Sequence, residues 1–227
     1  MIAENKSSLI TRVLVIYFLA LAGSVTLIFI PAGTLKFWNG WLFIVAIFIP
    51  MLCAFIYLAN KNPELLAKRL KTREKEKPQK IYLIFTWIVF LSIFIIPGLD
   101  FRFSWSYVPF PVVIVSTLLM LSGYLMFFFV MKQNAFASRV IEIQDEQKVI
   151  DTGLYSVVRH PMYLSSIILW GFASLVLGSF YGLIPIIFFL VFMIIRIKTE
   201  EKVLKSGLKG YDEYMKRVKY RLFPYIW

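Results

Sequence analysis

One histidine and one cysteine are all that the 227-residue chain offers of the side chains that most often hold soft metals. No Cys/His cluster and no H-E-x-x-H pattern occurs, so the sequence proposes no metal site. The lone thiol, Cys53, has no partner for an internal disulfide and sits in an apolar run, where a buried inert thiol is expected. A serine or cysteine triad is excluded too, because His160 is the only imidazole and no second base accompanies it. No G-x-G-x-x-G turn follows a strand, which argues against a soluble Rossmann methyltransferase or dehydrogenase domain. Internal repeats, low-complexity stretches and a separable soluble domain are absent as well. Acidic residues are scarce, 13 against 25 Lys and Arg, leaving a net charge of +12. Such an excess can point to nucleic acid, but membrane topology supplies a simpler cause, and no nucleic-acid partner is expected.

What the chain has in abundance is apolar surface: 59% of it is hydrophobic and 18% aromatic. A soluble domain averages about 45–50% apolar residues and seldom carries several long apolar runs. The pattern predicts an all-α, polytopic membrane protein embedded in a lipid bilayer. About six transmembrane helices are expected, near 9–30, 38–59, 81–97, 108–131, 162–178 and 182–198. Lys6 and Arg12 precede the first run and no small-residue cleavage site follows it, so it reads as a retained anchor. With the N-terminus in the cytoplasm, every Lys and Arg except Lys36 and Arg102 falls on the inner side. Both termini are therefore expected to be cytoplasmic, in the plasma membrane of a prokaryote or the endoplasmic reticulum of a eukaryote. Residues 1–131 form a four-helix membrane region with a basic segment at 60–80; residues 132–227 hold a loop, a helical hairpin and a C-terminal segment, integrated into one domain. Asn62-Pro63-Glu64 supplies a cap, a first-position proline and a first-turn acid. Leu65, Leu66 and Leu70 mark the apolar side of that short helix and Lys71 to Lys80 its basic end, as in a cytosolic interfacial helix drawn to anionic lipid.

The densest polar motif is Arg159-His160-Pro161-Met162-Tyr163, where a polar segment turns into the apolar run Met162 to Leu177. A second run, Leu183 to Ile197, follows the short connection Gly178-Ser179-Phe180-Tyr181-Gly182, so the two helices must be antiparallel neighbours. His160 and Glu200 lie about equally far from the middle of that turn. At ~1.5 Å per residue they return to the same depth, across axes ~8–10 Å apart. Pro161 suits a first helical position, which puts Arg159 and His160 at a helix start whose free N–H groups favour an anion. Glu200-Glu201 faces them, and the pair of walls suits a zwitterionic ligand. Along the first helix of the hairpin, His160, Tyr163, Ile167, Gly171, Ser174 and Gly178 share a side whose small members would let another helix approach. Arg196 lies one turn before Glu200. Arg196–Glu200 and Glu201–Lys205 also have the spacing of ordinary helix ion pairs, and His160 that of a cap. Polar groups at the edge of a membrane helix favour the site reading. The connection Lys132 to Val158 leads straight into the motif, as functional loops often do. After Lys205, the helically spaced Tyr211, Tyr214, Val218 and Arg221 form an amphipathic segment that would roof the site.

These residues carry a resemblance. Gly153-Leu154-Tyr155, Arg159-His160-Pro161-Met162-Tyr163 and Glu200-Glu201-Lys202-Val203-Leu204 resemble the R-H-P-x-Y and E-E-x-x-L motifs of the isoprenylcysteine carboxyl methyltransferase family. Phospholipid N-methyltransferases share the pattern, and the similarity runs from about Asn134 to the C-terminus. The resemblance implies S-adenosyl-L-methionine, bound at the cytosolic end of the last membrane helices beneath the C-terminal segment. It implies that Arg159, His160, Pro161, Met162 and Tyr163 line the cofactor and that Glu200, with Glu201 beside it, accepts its hydrogen bonds. Gln144, Gln147, Lys148, Val149, Ile150 and Tyr155 would add contacts from the loop. Arg196 and Arg221 would engage the acceptor, with Arg196 orienting a carboxylate. Arg196 and Glu200 would then serve catalysis by alignment and exclusion of water. The implied acceptor is an isoprenylcysteine or similar lipophilic acid entering from the membrane. A phospholipid amine is the alternative. A second alternative is an NADPH-dependent sterol reductase, since those enzymes carry an R-H-P-x-Y-like motif and ends resembling Tyr220 to Ile226. Glu200-Glu201 favours the methyltransferase. A lipid-binding or assembly protein with a vestigial site is the non-enzymatic reading.

Overall fold

A chain that crosses hydrocarbon must satisfy its backbone hydrogen bonds within each segment, which favours helices. The computed structural model describes residues 6–69, 77–134, 136, 143 and 146–227, and all regular structure among them is helical. The helices are α1 (Lys6–Ala32), α2 (Trp38–Lys61), α3 (Pro63–Arg69), α4 (Lys77–Phe103) and α5 (Phe110–Gln133). They continue with α6 (Pro161–Gly171), α7 (Ala173–Val176), α8 (Leu183–Gly207) and α9 (Tyr211–Arg217), with a 3-10 turn at Gly153–Ser156 ahead of α6. Among the described residues, Ser7–Ala32, Trp38–Lys61 and Phe110–Gln133 are long and apolar enough to cross a membrane. Their mean hydropathies are 2.6, 2.7 and 2.2, yet only 22%, 33% and 22% of those windows is buried inside the protein. Outward apolar surface on that scale, at about 25 cal/mol per Å² against water, supports a membrane protein.

The described residues thus supply three of the six expected spans by length and composition. The fifth expected run, 162–178, is not one helix: α6 stops at Gly171 and α7 restarts at Ala173. Glycine weakens helix there, and α7 is held by other partners. Asn39 Nδ2 of α2 donates to the Val176 carbonyl at 2.9 Å, and Ser174 Oγ donates to the Gly182 carbonyl at 2.6 Å. Gly171 does not provide the close helix approach expected of it, since a Cβ there would meet nothing within 4 Å. That role belongs to Gly123 of α5, where a Cβ would lie 2.6 Å from the backbone nitrogen of Leu169 in α6.

α3 forms at the expected place, with Asn62 Oδ1 accepting the Leu65 N–H at 3.0 Å. Its apolar side does not face lipid, however. Leu65 and Leu66 are buried with Leu9 and Val13 of α1, Leu58 of α2 and Met131 of α5. Leu70 and residues 71–76 of the expected basic end lie outside the described residues. Cys53 is exposed on α2, not buried, because α2 turns Phe43, Ile44, Ile47 and Phe48 inward instead.

The bundle has two distinct ends. The start of α1 and the ends of α2 and α5 meet α3 at one of them. At the other, the buried Asp100 takes the Ser106 N–H at 2.7 Å, the Ser106 hydroxyl at 2.6 Å and the Ser179 hydroxyl. Ser179 Oγ in turn accepts the Gly182 N–H at 3.0 Å. These donors satisfy a buried carboxylate and tie the turn ahead of α8 to the connection between α4 and α5.

Candidate active site

Proline disfavours helix in the residue before it and suits a helix start. His160 accordingly leaves helical geometry (φ −124°, ψ 59°) and α6 begins at Pro161. The non-helical residues 159–160 pair with the C-terminal segment: the Arg159 N–H donates to the Tyr220 carbonyl and the His160 N–H to the Arg221 carbonyl, both at 2.9 Å. This pairing ends the helical spacing expected through Arg221; α9 stops at Arg217 and Val218 is extended.

Glu200 and Glu201 are adjacent in sequence but diverge on the helix. Glu201 falls on the inward stripe Ile197, Leu204, Leu208 and is 5% exposed. Its Oε1 accepts Arg159 Nε at 2.8 Å and lies 3.2 Å from His160 Nε2, while its Oε2 accepts Arg221 Nε at 2.8 Å. Burial by itself would raise this carboxyl, but hydrogen bonds from His160, Arg221 and Arg159 hold it down to about 2. Arg159 also donates through Nη1 to the carbonyls of Val218 (2.7 Å) and Lys219 (2.8 Å), and the Arg221 guanidinium lies 5.1 Å from the Trp227 ring centroid. Arg159, Glu201 and Arg221 therefore clamp the C-terminal segment across α6 and α8. The four-residue pair Glu201–Lys205 does not form; Lys205 lies 3.8 Å from Asp212.

Glu200 points the other way, into a cleft. Its Oε2 accepts the Tyr163 hydroxyl at 2.5 Å, and Arg196 Nε donates to that same hydroxyl oxygen at 3.1 Å. His160 is thus matched with Glu201, and Glu200 is matched with Tyr163 one turn deeper. Arg159, His160, Met162, Tyr163, Arg196 and Glu200 all line the cleft. Gln147, Lys148, Val149, Ile150 and Tyr155 line it from the loop side. Pro161, Glu201 and Arg221 are not in its lining, and Gln144 lies outside the described residues.

The remaining wall comes from residues the sequence motifs did not single out as ligands: Asn134, Phe136, Val203, Leu204 and Leu208, with Tyr211 and Tyr214 of α9. Asn134 Nδ2 donates to the Tyr155 hydroxyl at 2.9 Å, and the Tyr214 hydroxyl donates to the Tyr155 carbonyl at 2.7 Å. The exposed pair Arg217–Asp151, at 2.6 Å, ties the end of α9 to the loop. The spacing of Tyr211 and Tyr214, one helical turn apart on an amphipathic segment, was the signal for this wall. Burial and nearby carboxylates push the Tyr211 hydroxyl far above its ordinary value, and burial does the same at Tyr214, so both keep their protons.

A cleft that joins a proline-started helix, a glutamate from the next helix and a roofing segment can hold a ligand with both charged and apolar parts. Residues 111–209 match the family model described as phospholipid methyltransferase. That segment is similar to phospholipid methyltransferases. The match begins in α5, contains α6 to α8 with Tyr163, Arg196, Glu200 and Glu201, and ends before α9. The roof of the cleft, with Tyr211 and Tyr214, and the clamp residue Arg221 lie beyond the matched residues. Among the described residues, no group of three or more His, Cys, Asp or Glu side chains is placed to hold a metal ion.

Proposed function

We propose that the protein transfers a methyl group from S-adenosylmethionine to a lipophilic acceptor that reaches the cleft from the membrane. The observation carrying this reading is that one cleft is lined both by residues of the Arg159–Tyr163 motif and by Glu200, all of them within the family-matched segment. The lining fits such a cofactor. Glu200 offers a carboxylate to an ammonium or a ribose diol, Leu204, Leu208 and Val149 offer an apolar wall to a heterocycle, and the buried Tyr211 hydroxyl lacks a partner among the described residues. When bound, the cofactor supplies a sulfonium methyl open to in-line attack by an acceptor lone pair, with departure of a neutral thioether. The chain's part is alignment and exclusion of water. Tyr163 fixes the Glu200 carboxylate, and Arg196 reaches the same hydroxyl, so cation and carboxylate are held side by side. The Arg159–Glu201–Arg221 clamp keeps the C-terminal segment in place over this group.

For the acceptor, Arg196 favours a lipophilic carboxylate such as an isoprenylcysteine, which needs no base. The family match favours a phospholipid amine equally well, and Glu200 then stands where an ammonium proton must leave. Both acceptors agree with a cleft at the end of the bundle where most basic residues fall, taken as cytoplasmic. The test is thermal unfolding in detergent with S-adenosylhomocysteine or NADPH. At ~100 times its Kd the true ligand adds about 2.7 kcal/mol. Stabilisation by NADPH alone would overturn the methyltransferase reading. Incubation with methyl-labelled cofactor and either a prenylated cysteine or a phosphatidylethanolamine vesicle then separates the two acceptors.

A further inference from the structure

Buried hydroxyl groups almost always find a hydrogen-bond partner, and an orphan calls for an explanation. Tyr211 is 4% exposed, and among the described residues its hydroxyl is the buried side-chain polar atom without a partner. Its neighbour on α9, Tyr214, sits in the same cleft wall with its hydroxyl spent on the Tyr155 carbonyl. The two differ in a telling way: the Tyr214 hydroxyl is used within the protein, and the Tyr211 hydroxyl, on a residue that lines the cleft, is buried without a partner. Tyr211 packs with Leu208, Tyr214 and Val218, against Val149 and Leu204.

We infer that Tyr211 is a ligand-positioning residue whose hydroxyl donates a hydrogen bond to an uncharged acceptor on the nucleoside part of the bound cofactor. The hydroxyl stays protonated, so it is a donor. The Glu201 and Glu200 carboxylates bear on it more strongly than the opposing Arg159 guanidinium, which disfavours an anionic partner such as the amino-acid carboxylate. An apolar, aromatic surround with one neutral donor suits a flat heterocycle and its sugar. This assignment rests on the proposed use of S-adenosylmethionine.

Tyr211→Phe removes no hydrogen bond within the protein, whereas Tyr214→Phe leaves the Tyr155 carbonyl short of one. Unfolding of the unliganded variants in detergent should show Tyr211→Phe unchanged or raised in Tm and Tyr214→Phe lowered. Titration should show that Tyr211→Phe raises the Kd of S-adenosylhomocysteine roughly 3- to 10-fold, the size expected for one neutral hydrogen bond. 5′-Methylthioadenosine, which keeps the nucleoside but lacks the amino-acid end, should lose the same factor when measured by displacement. A loss confined to S-adenosylhomocysteine would move the contact to the amino-acid end and overturn the nucleoside assignment. Wild-type affinity for both ligands in Tyr211→Phe would overturn the inference alone. Failure of the wild-type protein to bind either ligand would overturn the methyltransferase reading together with it.

Discussion

Neighbouring glutamates at 200 and 201 have unlike partners because an α-helix turns by about 100° per residue. Glu200 faces the cleft with one neutral donor, Tyr163, bound to its Oε2. Glu201 faces inward and is surrounded by two arginines and a histidine. Their substitutions should therefore separate. Glu200→Gln is expected to raise the Kd of S-adenosylhomocysteine about 10- to 150-fold, the worth of one charge-assisted hydrogen bond, with little change in unliganded stability. Glu201→Ala strands the buried Arg159 and frees the half-buried Arg221, and stability should fall by about 3–5 kcal/mol. Equilibrium unfolding and ligand titration on both variants check this; a Glu200→Gln protein that binds normally but unfolds easily would reverse the two roles.

Among the elements, the C-terminal segment depends most on a single group. The Glu201 carboxyl stands at about 2 in the folded protein against an ordinary 4.5. The unfolded chain then binds more protons between those values. The clamp's contribution is complete above pH 4.5 and is lost as the pH falls from there through about 2. The protection factors of the Arg159, His160, Arg221 and Leu222 amides, whose N–H groups hold the segment, should fall over that window once corrected for the pH dependence of intrinsic exchange. Undiminished protection near its lower end would count against the clamp. Between helices, Gly123→Val should cost about 1–3 kcal/mol by forcing α5 off α6, whereas Gly171→Ala meets open space and should be tolerated. Thermal unfolding of the two variants distinguishes them. The start of α6 at Pro161 and the meeting of 159–163 with 200–201 were legible in the sequence, because proline chemistry and a short turn act locally. The clamp was not: Arg159 reaches Val218 and Lys219, nearly sixty residues away, and spacing says nothing of such contacts. Glu201 did leave a trace, as the charged member of an otherwise apolar stripe with Ile197, Leu204 and Leu208. Hydropathy also cannot separate apolar residues that meet protein from those that meet lipid, which is why Leu65 and Leu66 proved buried and Cys53 exposed.

Across the whole molecule, charge is sorted by end. Lys36 and Arg102 fall near the Asp100 end, and the other described basic residues fall towards the cleft end, the arrangement expected of a cytoplasmic site. In a Cys53→Ala background, a cysteine at Ser104 should react with an impermeant maleimide in intact cells, and one at Tyr225 should be shielded. Labelling at Tyr225 from outside would place the cleft on the wrong side for a cytosolic cofactor. The Asp100 knot sets a further property of the bundle. It fastens the α7–α8 turn to the α4–α5 connection at the end farthest from the cleft. About eighteen residues of α8 separate that fastening from Glu200, a lever arm of roughly 27 Å at ~1.5 Å per residue. With that end held, a tilt of only about 5° would swing the Glu200 end by about 2 Å, so the far fastening governs the width of the cleft.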